Sequence, residues 1–384
     1  MTQAELRAWI ERLARIHRPA TSAGEREAAE LIAADLEAAG TRTRIEEERA
    51  HGGYWWPIGL PAALGALAAG RGRLVGALAG LLGAAAVTDD ITAGRQLFRR
   101  KLLPGRPTTN VVAELGPSDA ERTVVVCAHH DAAHAGLVFH PDPPRALLRR
   151  FPGLLEKVNT TPPTMWGAVA GPALVALGAL LGLRRVGEAG RVLCLGYAAA
   201  MADIGLRRAV PGANDNLSGV AVLSWLARSL ADQPPPAGLR VILLSTGSEE
   251  SFLEGMHAFS RRHFPSLPPD RTWFVCVDTV GSPRLAPLEG EGMVWMNEYP
   301  KDFLALLKEE AARLGIKLVP NLRFRNATDG VVPLRRGYPT VALGSVDEFK
   351  IPTEYHWPTD TADRVDYETV ADCARLCDAL VRRL

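Results

Sequence analysis

Residues 211–219 read P-G-A-N-D-N-L-S-G and run directly into an apolar helical pattern at 220–230. Asp215 sits where that helix begins. A carboxylate there can accept backbone N–H bonds and is favoured by the positive end of the helix, which keeps it ionised and aimed. The small residues and two asparagines around it imply a backbone held tightly about something the Asp must touch. A lone Asp before a helix is ordinarily an N-cap. Its partners elsewhere in the chain argue for more.

The chain has 384 residues and 47% hydrophobic content, enough for a full core in one large domain or two smaller ones. With 44 basic and 43 acidic residues, the net charge of +1 directs it neither to nucleic acid nor to an acidic partner. Five cysteines form no C-x-x-C pair, and Cys127, Cys194 and Cys276 lie in apolar runs. They read as buried free thiols in a reducing compartment. Residues 1–18 are charged and lack an apolar signal core, so no standard signal peptide is expected.

Residues 2–18 and 22–39 read as amphipathic helices. Ser22 with Glu25 three places on has the capping-box pattern, and Gly40 stops the second helix. Residues 41–49 alternate weakly, as an edge strand guarded by charge would. The runs 54–69 and 74–87 are then almost purely apolar, as are 165–183 and 192–201. They form two helical hairpins with basic turns. Most arms have roughly 14–19 residues, against the ~20 that cross a bilayer perpendicular to its plane. Trp55, Trp56 and Trp166 mark entry points, and Gly76/Gly80 and Gly178/Gly182 have the spacing of close helix contacts. Two destinations stay open for the hairpins: a membrane, or a buried helical cap or dimer interface, which Asp203 favours.

Outside the hairpins, β-branched runs at 109–115, 123–128, 239–245, 273–277 and 340–343 alternate with helical patterns at 220–230, 303–314 and 367–384. Strands apolar on both faces indicate a mixed, mostly parallel central sheet with helices on both faces, an α/β fold. Three of these strands end on ionisable residues: His129-His130-Asp131, Glu249-Glu250 and Asp278. The carboxyl ends of strands are where α/β sheets bind ligands. Asp215 can reach the same edge, and His356 lies in a Pro-flanked loop free to close over it. Histidines and carboxylates converging in this way suit Zn²⁺ rather than Ca²⁺. In H-x-D, extended geometry puts His129 and Asp131 on one side, so Asp131 can hold the far ring nitrogen of His129, while His130 faces away. Adjacent Glu249 and Glu250 suit a division between metal binding and proton handling.

The motifs A-H-H-D at 128–131, G-A-N-D-N-L-S-G at 212–219, G-S-E-E at 247–250, V-D-T-V-G at 277–281 and Y-H-W-P-T-D at 355–360 resemble those of one family. These are the co-catalytic di-zinc exopeptidases, which include bacterial zinc aminopeptidases, glutamate carboxypeptidases and glutaminyl cyclases. The resemblance implies a single phosphorylase/hydrolase-like zinc-exopeptidase domain over 1–384, with apolar hairpins inserted at 52–106 and 135–210. It implies that His129 and Asp278 bind one Zn²⁺, Glu250 and His356 a second, and Asp215 both. Glu249 would be the general base and Asp131 the carboxylate orienting His129. The implied activity is hydrolysis of peptide substrates, as an aminopeptidase, by metal-activated water. Alternatives on the same scaffold are a one-zinc glutaminyl-cyclase-like acyl transferase and an inactive binding module. Both His129 and Asp278 are present, which argues for two metals, and no ligand position is lost.

Two features depart from the family. Thr328-Asp329-Gly330 stands where relatives have S-D-H, and the second hairpin falls between His129 and Asp215, near the mouth of the site. Arg323 and Arg325 read as solvated strand residues rather than receptors for a substrate carboxylate. The expected location is cytoplasmic, or a membrane with a cytoplasmic catalytic domain, with a homo-oligomer as a further expectation.

Overall fold

The computed structural model describes residues 1–157 and 159–384. Among the described residues, nine strands form the sheet: β1 (Arg42–Ala50), β2 (Arg106–Leu115), β3 (Arg122–His129), β4 (Leu239–Thr246), β5 (Thr272–Val277), β6 (Arg284–Glu291), β7 (Asn297–Glu298), β8 (Leu322–Phe324) and β9 (Thr340–Val346). Their order is β1-β2-β4-β3-β5-β9-β6-β7, with β8 beside β6. The central strands β4, β3, β5 and β9 are parallel, and antiparallel β1-β2 and β6 flank them. The mixed, mostly parallel sheet is thus as expected. Val124, Val125, Val126 and Cys127 of β3 are wholly buried, because helices cover both sides of the sheet.

The chain steps from β3 to β4 in one direction and from β4 past β3 to β5 in the other. Right-handed connections therefore place helices Ser218–Asp232 and Glu254–His263 on opposite faces. Because the four central strands run the same way, His129, Glu249, Glu250 and Asp278 emerge at one edge. Strand β1 is the charged edge strand expected at 41–49. Strands β6 and β7 had no distinct sequence signature; β6 contains Pro287 and two glutamates among its apolar residues.

Two N-terminal details differ from expectation. Thr2 and Glu5 form the reciprocal capping box. Ser22 caps the N–H of Glu25, but the Glu25 carboxylate passes over Ser22 and accepts from the Thr21 N–H, because it is buried under β2.

The hairpins consist of helices Trp55–Ala68 with Arg73–Ile91 and Trp166–Leu181 with Arg184–Leu206. They pack side by side as one four-helix bundle, whose contacts run through small residues. A side-chain carbon at Gly80 would lie 2.5 Å from the Pro172 carbonyl, and one at Gly190 2.6 Å from the Val175 nitrogen. Gly76 lies at a helix contact as its spacing predicts. Gly182 does not: it ends its helix in the left-handed conformation with open space beside it. Trp55 is not an entry marker either, since its ring packs on His134 at 4.5 Å.

The bundle is tied to the sheet by ion pairs. Buried Arg99 donates to both oxygens of Asp90, at 2.8 and 2.7 Å, and to Glu254 at 3.0 Å, and also to the Ser251 carbonyl. Glu254 in turn accepts from the backbone N–H of His51 at 2.8 Å. Burial works against the Glu254 charge, but Arg99 outweighs it and holds the carboxyl at about 2. Glu254 therefore stabilises the fold fully above its ordinary value of 4.5, and the contribution fades as pH falls towards 2. Arg99→Met, which strands two buried carboxylates, is expected to cost about 3–5 kcal/mol in denaturant unfolding. Glu254→Gln should flatten the acid limb of the stability profile between about pH 4.5 and 2, read from melting temperatures.

Candidate active site

The site assembles where the parallel strands end. His129 closes β3, Glu249 and Glu250 lie in the turn after β4, and Asp278 follows β5. Asp215 does not cap a helix as its position suggested. It lies in a kinked turn, Ala213–Leu217, with φ −111° and ψ 91°, and helix Ser218–Asp232 starts only beyond it. The Asp215–Asn216 peptide is cis. The turn is pinned through its two side-chain amides. Asn214 accepts from the Gly281 N–H at 2.7 Å and donates to Ser282 at 3.1 Å. Asn216 accepts from the Thr279 N–H at 3.0 Å and donates to the Val277 carbonyl at 2.9 Å. The two asparagines thus fasten the turn to the strand end carrying Asp278.

The Asp215 carboxylate points between two histidines. Its Oδ1 is 3.2 Å from Nε2 of His129 and its Oδ2 is 3.3 Å from Nε2 of His356. His129 Nε2 also lies 3.9 Å from Asp278 and 3.9 Å from Glu249, and His356 Nε2 lies 3.3 Å from Glu250. The donor atoms form two groups that share Asp215: His129, Asp215 and Asp278, and Asp215, Glu250 and His356. Within each they lie inside 4.8 Å of one another. His129, Glu249 and Glu250 form a third such group. Imidazole and carboxylate donors of this kind suit zinc. Glu250 also keeps one buried oxygen, Oε1, without a hydrogen-bond partner, as a group awaiting a cation would. The residues present fit a metal.

The electrostatics agree. Burial and neighbouring carboxylates raise Glu249 far above the usual range, and burial with Asp215 nearby raises Glu250. Burial lifts Asp278 to about 6. Burial would depress His356, but Glu250 and Asp215 carry it up to about 10. Burial opposes the Asp215 charge too, yet the two histidines hold it well below its ordinary value. Negative charge thus exceeds what the protein's own cations compensate, a difference that a divalent cation would supply.

His356 is already clamped rather than free to close. Its ring stacks on Tyr355 at 3.9 Å and meets the edge of Phe139 at 4.5 Å. His130 faces away: its Nδ1 pairs with Ser245 at 2.9 Å, and burial lowers it to about 3. Asp131 stands behind His129 on its Nδ1 side and does more than was expected of it. Beyond the strand end its carboxylate accepts the N–H groups of Glu249 at 3.0 Å and Glu250 at 3.1 Å, while Nδ1 of His129 lies nearer its backbone carbonyl (3.2 Å) than its carboxylate (3.4 Å). One carboxylate thereby aligns the Glu-Glu turn with the histidine.

Three supporting residues went unassigned in the sequence. Asp360 accepts the N–H groups of Asn214 and Asp215 at 2.7 and 3.1 Å, and its place in Y-H-W-P-T-D could have signalled this. Fully buried Arg18 donates to the carbonyls of His130, Pro211 and Gly212 at 2.7, 2.5 and 2.7 Å. Glu25, lifted by burial to about 8, lies beneath the Glu249 turn, bonded to Ser248 at 3.3 Å and to Thr108. A side-chain carbon at Gly247 would sit 2.0 Å from a Glu25 oxygen and 2.6 Å from the Thr109 carbonyl, whose backbone cannot yield, so only glycine fits there. Nothing local marks Arg18 or Glu25. Asp329 lies behind the site against Thr246 rather than in the cleft.

A cleft of about 200 Å³ opens over Glu249, Glu250 and His356, walled by Tyr54, Phe139, Met165, Phe252 and Met293. Residues of the segment 135–210, which carries the second hairpin, thus border the site. Arg323 and Arg325 are half-buried rather than solvated. Arg323 pairs with Glu298 at 3.0 Å, whereas Arg325 reaches the cleft, its guanidinium over the Trp166 ring at 5.2 Å.

Sheet order and site geometry define the fold of the zinc-dependent exopeptidases. The family resemblance drawn from the motifs holds: residues 199–381 match the model described as Peptidase family M28. Among solved structures, the chain is similar to a glutaminyl cyclase from Bacteroides thetaiotaomicron, with TM-score 0.61 and 14% identity, covering 100% of this chain and 98% of that one. It is similar to a Zn-dependent exopeptidase from Parabacteroides distasonis, with TM-score 0.58 and 13% identity over 100% and 98%. An aminopeptidase from Aneurinibacillus sp. matches with TM-score 0.57 and 14% identity over 100% and 93%. In sequence, the chain is 26% identical over 186 residues to the uncharacterized protein YfbL of Escherichia coli, covering 42% of this chain and 56% of that protein.

Arg18→Met strands three buried carbonyl oxygens and is expected to cost at least about 2 kcal/mol in denaturant unfolding. Because two of those carbonyls lead into the Asp215 turn, zinc affinity by calorimetry should fall in the same variant.

Proposed function

We propose that this chain is a di-zinc aminopeptidase that removes residues from peptides. The observation that carries the reading is the two-sided Asp215 carboxylate, 3.2 Å from one histidine and 3.3 Å from the other, with Glu249 beside the first. His129 and Asp278 would hold one Zn²⁺, Glu250 and His356 the other, and Asp215 both. Zinc bound there supplies Lewis acidity for the scissile carbonyl and makes water acidic enough to ionise near neutral pH. Glu249 is buried at the cleft with no metal-binding duty in this assignment. It takes the proton of the attacking water and returns it to the leaving amine. Asp131 holds the backbone of that glutamate, so the base is aimed before substrate arrives. The apolar cleft favours substrates with an apolar residue beside the cleaved bond.

Two observations support second readings. Arg325 at the cleft suits a substrate carboxylate, as a carboxypeptidase requires. The similarity in fold to a glutaminyl cyclase, TM-score 0.61, is no lower than that to the exopeptidase, 0.58, which supports an acyl-transferase reading with one zinc. Metal analysis separates these readings: two Zn²⁺ per chain supports the peptidase, one the cyclase and none a binding module. A panel of free aminoacyl, N-blocked and amidated peptides then distinguishes the end attacked.

Glu249→Gln is expected to retain its metal while kcat falls about 10²–10⁴-fold, since the proton carrier goes and the ligands stay. Unimpaired hydrolysis in that variant would remove Glu249 from the mechanism. Asp215→Asn should weaken both ions together in a chelator titration, and selective loss of one ion would contradict its bridging role.

A further inference from the structure

The four-helix bundle is packed inside out. Among the described residues, Ile58, Val87, Ile91, Met201 and Ile204 form an apolar cluster at the sheet end, but beyond it the interior is glycine, alanine and proline with Val175 and Cys194, while the leucines point outward. Leu64 and Leu67 of one helix, Leu78 and Leu82 of the next, and Leu181 and Leu195 of the other two are all more than half exposed. Only 39% and 22% of the apolar windows of its two long helices are buried. A soluble core helix has the reverse arrangement. Small residues at helix contacts and large apolar ones outside are what lipid selects, because packing rather than water exclusion holds such helices together.

The two ends of the bundle differ chemically. At the end remote from the sheet lie both hairpin turns, bound to each other by Arg73 donating to the Leu180 carbonyl at 2.7 Å. They carry exposed Arg71, Arg73, Arg184 and Arg185, with Arg191 paired to Glu188 one to two turns along. At the sheet end, Trp56 and Trp166 are about half exposed, where interfacial aromatics would sit. Between the tryptophans and the arginines, helix Trp166–Leu181 rises about 24 Å. That falls short of a hydrocarbon layer of ~30 Å by an amount that snorkelling arginines and local thinning can cover.

We propose that the bundle is embedded in an anionic lipid bilayer, its arginine-bearing tips in the far headgroup layer and the tryptophans in the near one. Arginine charge matches anionic headgroups at the tips, and a continuous apolar band matches the acyl chains between. A second copy of the chain would cover only one side of this band.

The test uses the full chain and does not depend on its catalytic activity. Purified in detergent and mixed with phosphatidylcholine–phosphatidylglycerol vesicles, the protein should float with them and resist extraction by alkaline carbonate. Leu78→Glu with Leu82→Glu, on the outward face, should reduce the floating fraction about tenfold or more. The circular dichroism spectrum should be unchanged, since the helix contacts are untouched. All five native cysteines are buried. In reconstituted vesicles, Arg71→Cys should therefore react with a membrane-impermeant maleimide from the side opposite to that labelling Lys317→Cys on the catalytic domain. Labelling of both from one side would overturn the embedding. So would a monodisperse monomer or dimer in detergent-free buffer that fails to float.

Discussion

Everything at the active edge depends on keeping mutually repelling carboxylates buried within a few ångströms of each other. Asp215, Glu249, Glu250 and Asp278 meet around two histidines, with Asp131 and Asp360 directly behind. In water they would separate. Here each is fixed by a rigid element: three follow parallel strands, and Asp215 sits in a turn pinned by asparagines to the strand end bearing Asp278. The outer carboxylates are stabilised differently from the inner ones. Asp131 and Asp360 accept backbone N–H groups, whereas the inner four face imidazoles and open space fit for cations.

The residues that carry chemistry were the most legible part of the sequence. Ionisable residues immediately after apolar strands have few structural uses, so His129, Glu249, Glu250 and Asp278 stood out at strand ends, and the parallel strand order explains why they converge. The side of the strand on which each histidine lies followed from the period of two, and His130 does face away, onto Ser245. Asp215 was singled out for a partly wrong reason, since its turn precedes the helix and the carboxylate caps nothing. Asp131 was expected to hold an imidazole; its carboxylate lies 3.4 Å from that of His129 and also holds two backbone amides, which the strand pattern, ending at His129, did not signal.

What stayed hidden were partners set by tertiary contacts alone. Glu25 reads as half of a capping box and in fact buries its carboxylate beneath the Glu249 turn, about 220 residues later in the chain. Strands β6 and β7 escaped notice because Pro287 and glutamates break the apolar pattern of β6 and β7 has only two residues. The hairpins were plain from hydropathy, yet their union into one bundle and the outward turn of their leucines required three-dimensional packing.

Arg18 shows how late such a site must mature. Its three acceptor carbonyls lie 112 to 194 positions further along the chain, two of them beyond both hairpins, so this arginine waits for loops made long after it. Closing a contact of that span is entropically costly and slow. The N-terminal helices carry no reacting group, yet they act as the latch of the catalytic edge. Until they dock, the backbone around Asp215 lacks one wall, and the acidic cluster has no reason to come together early.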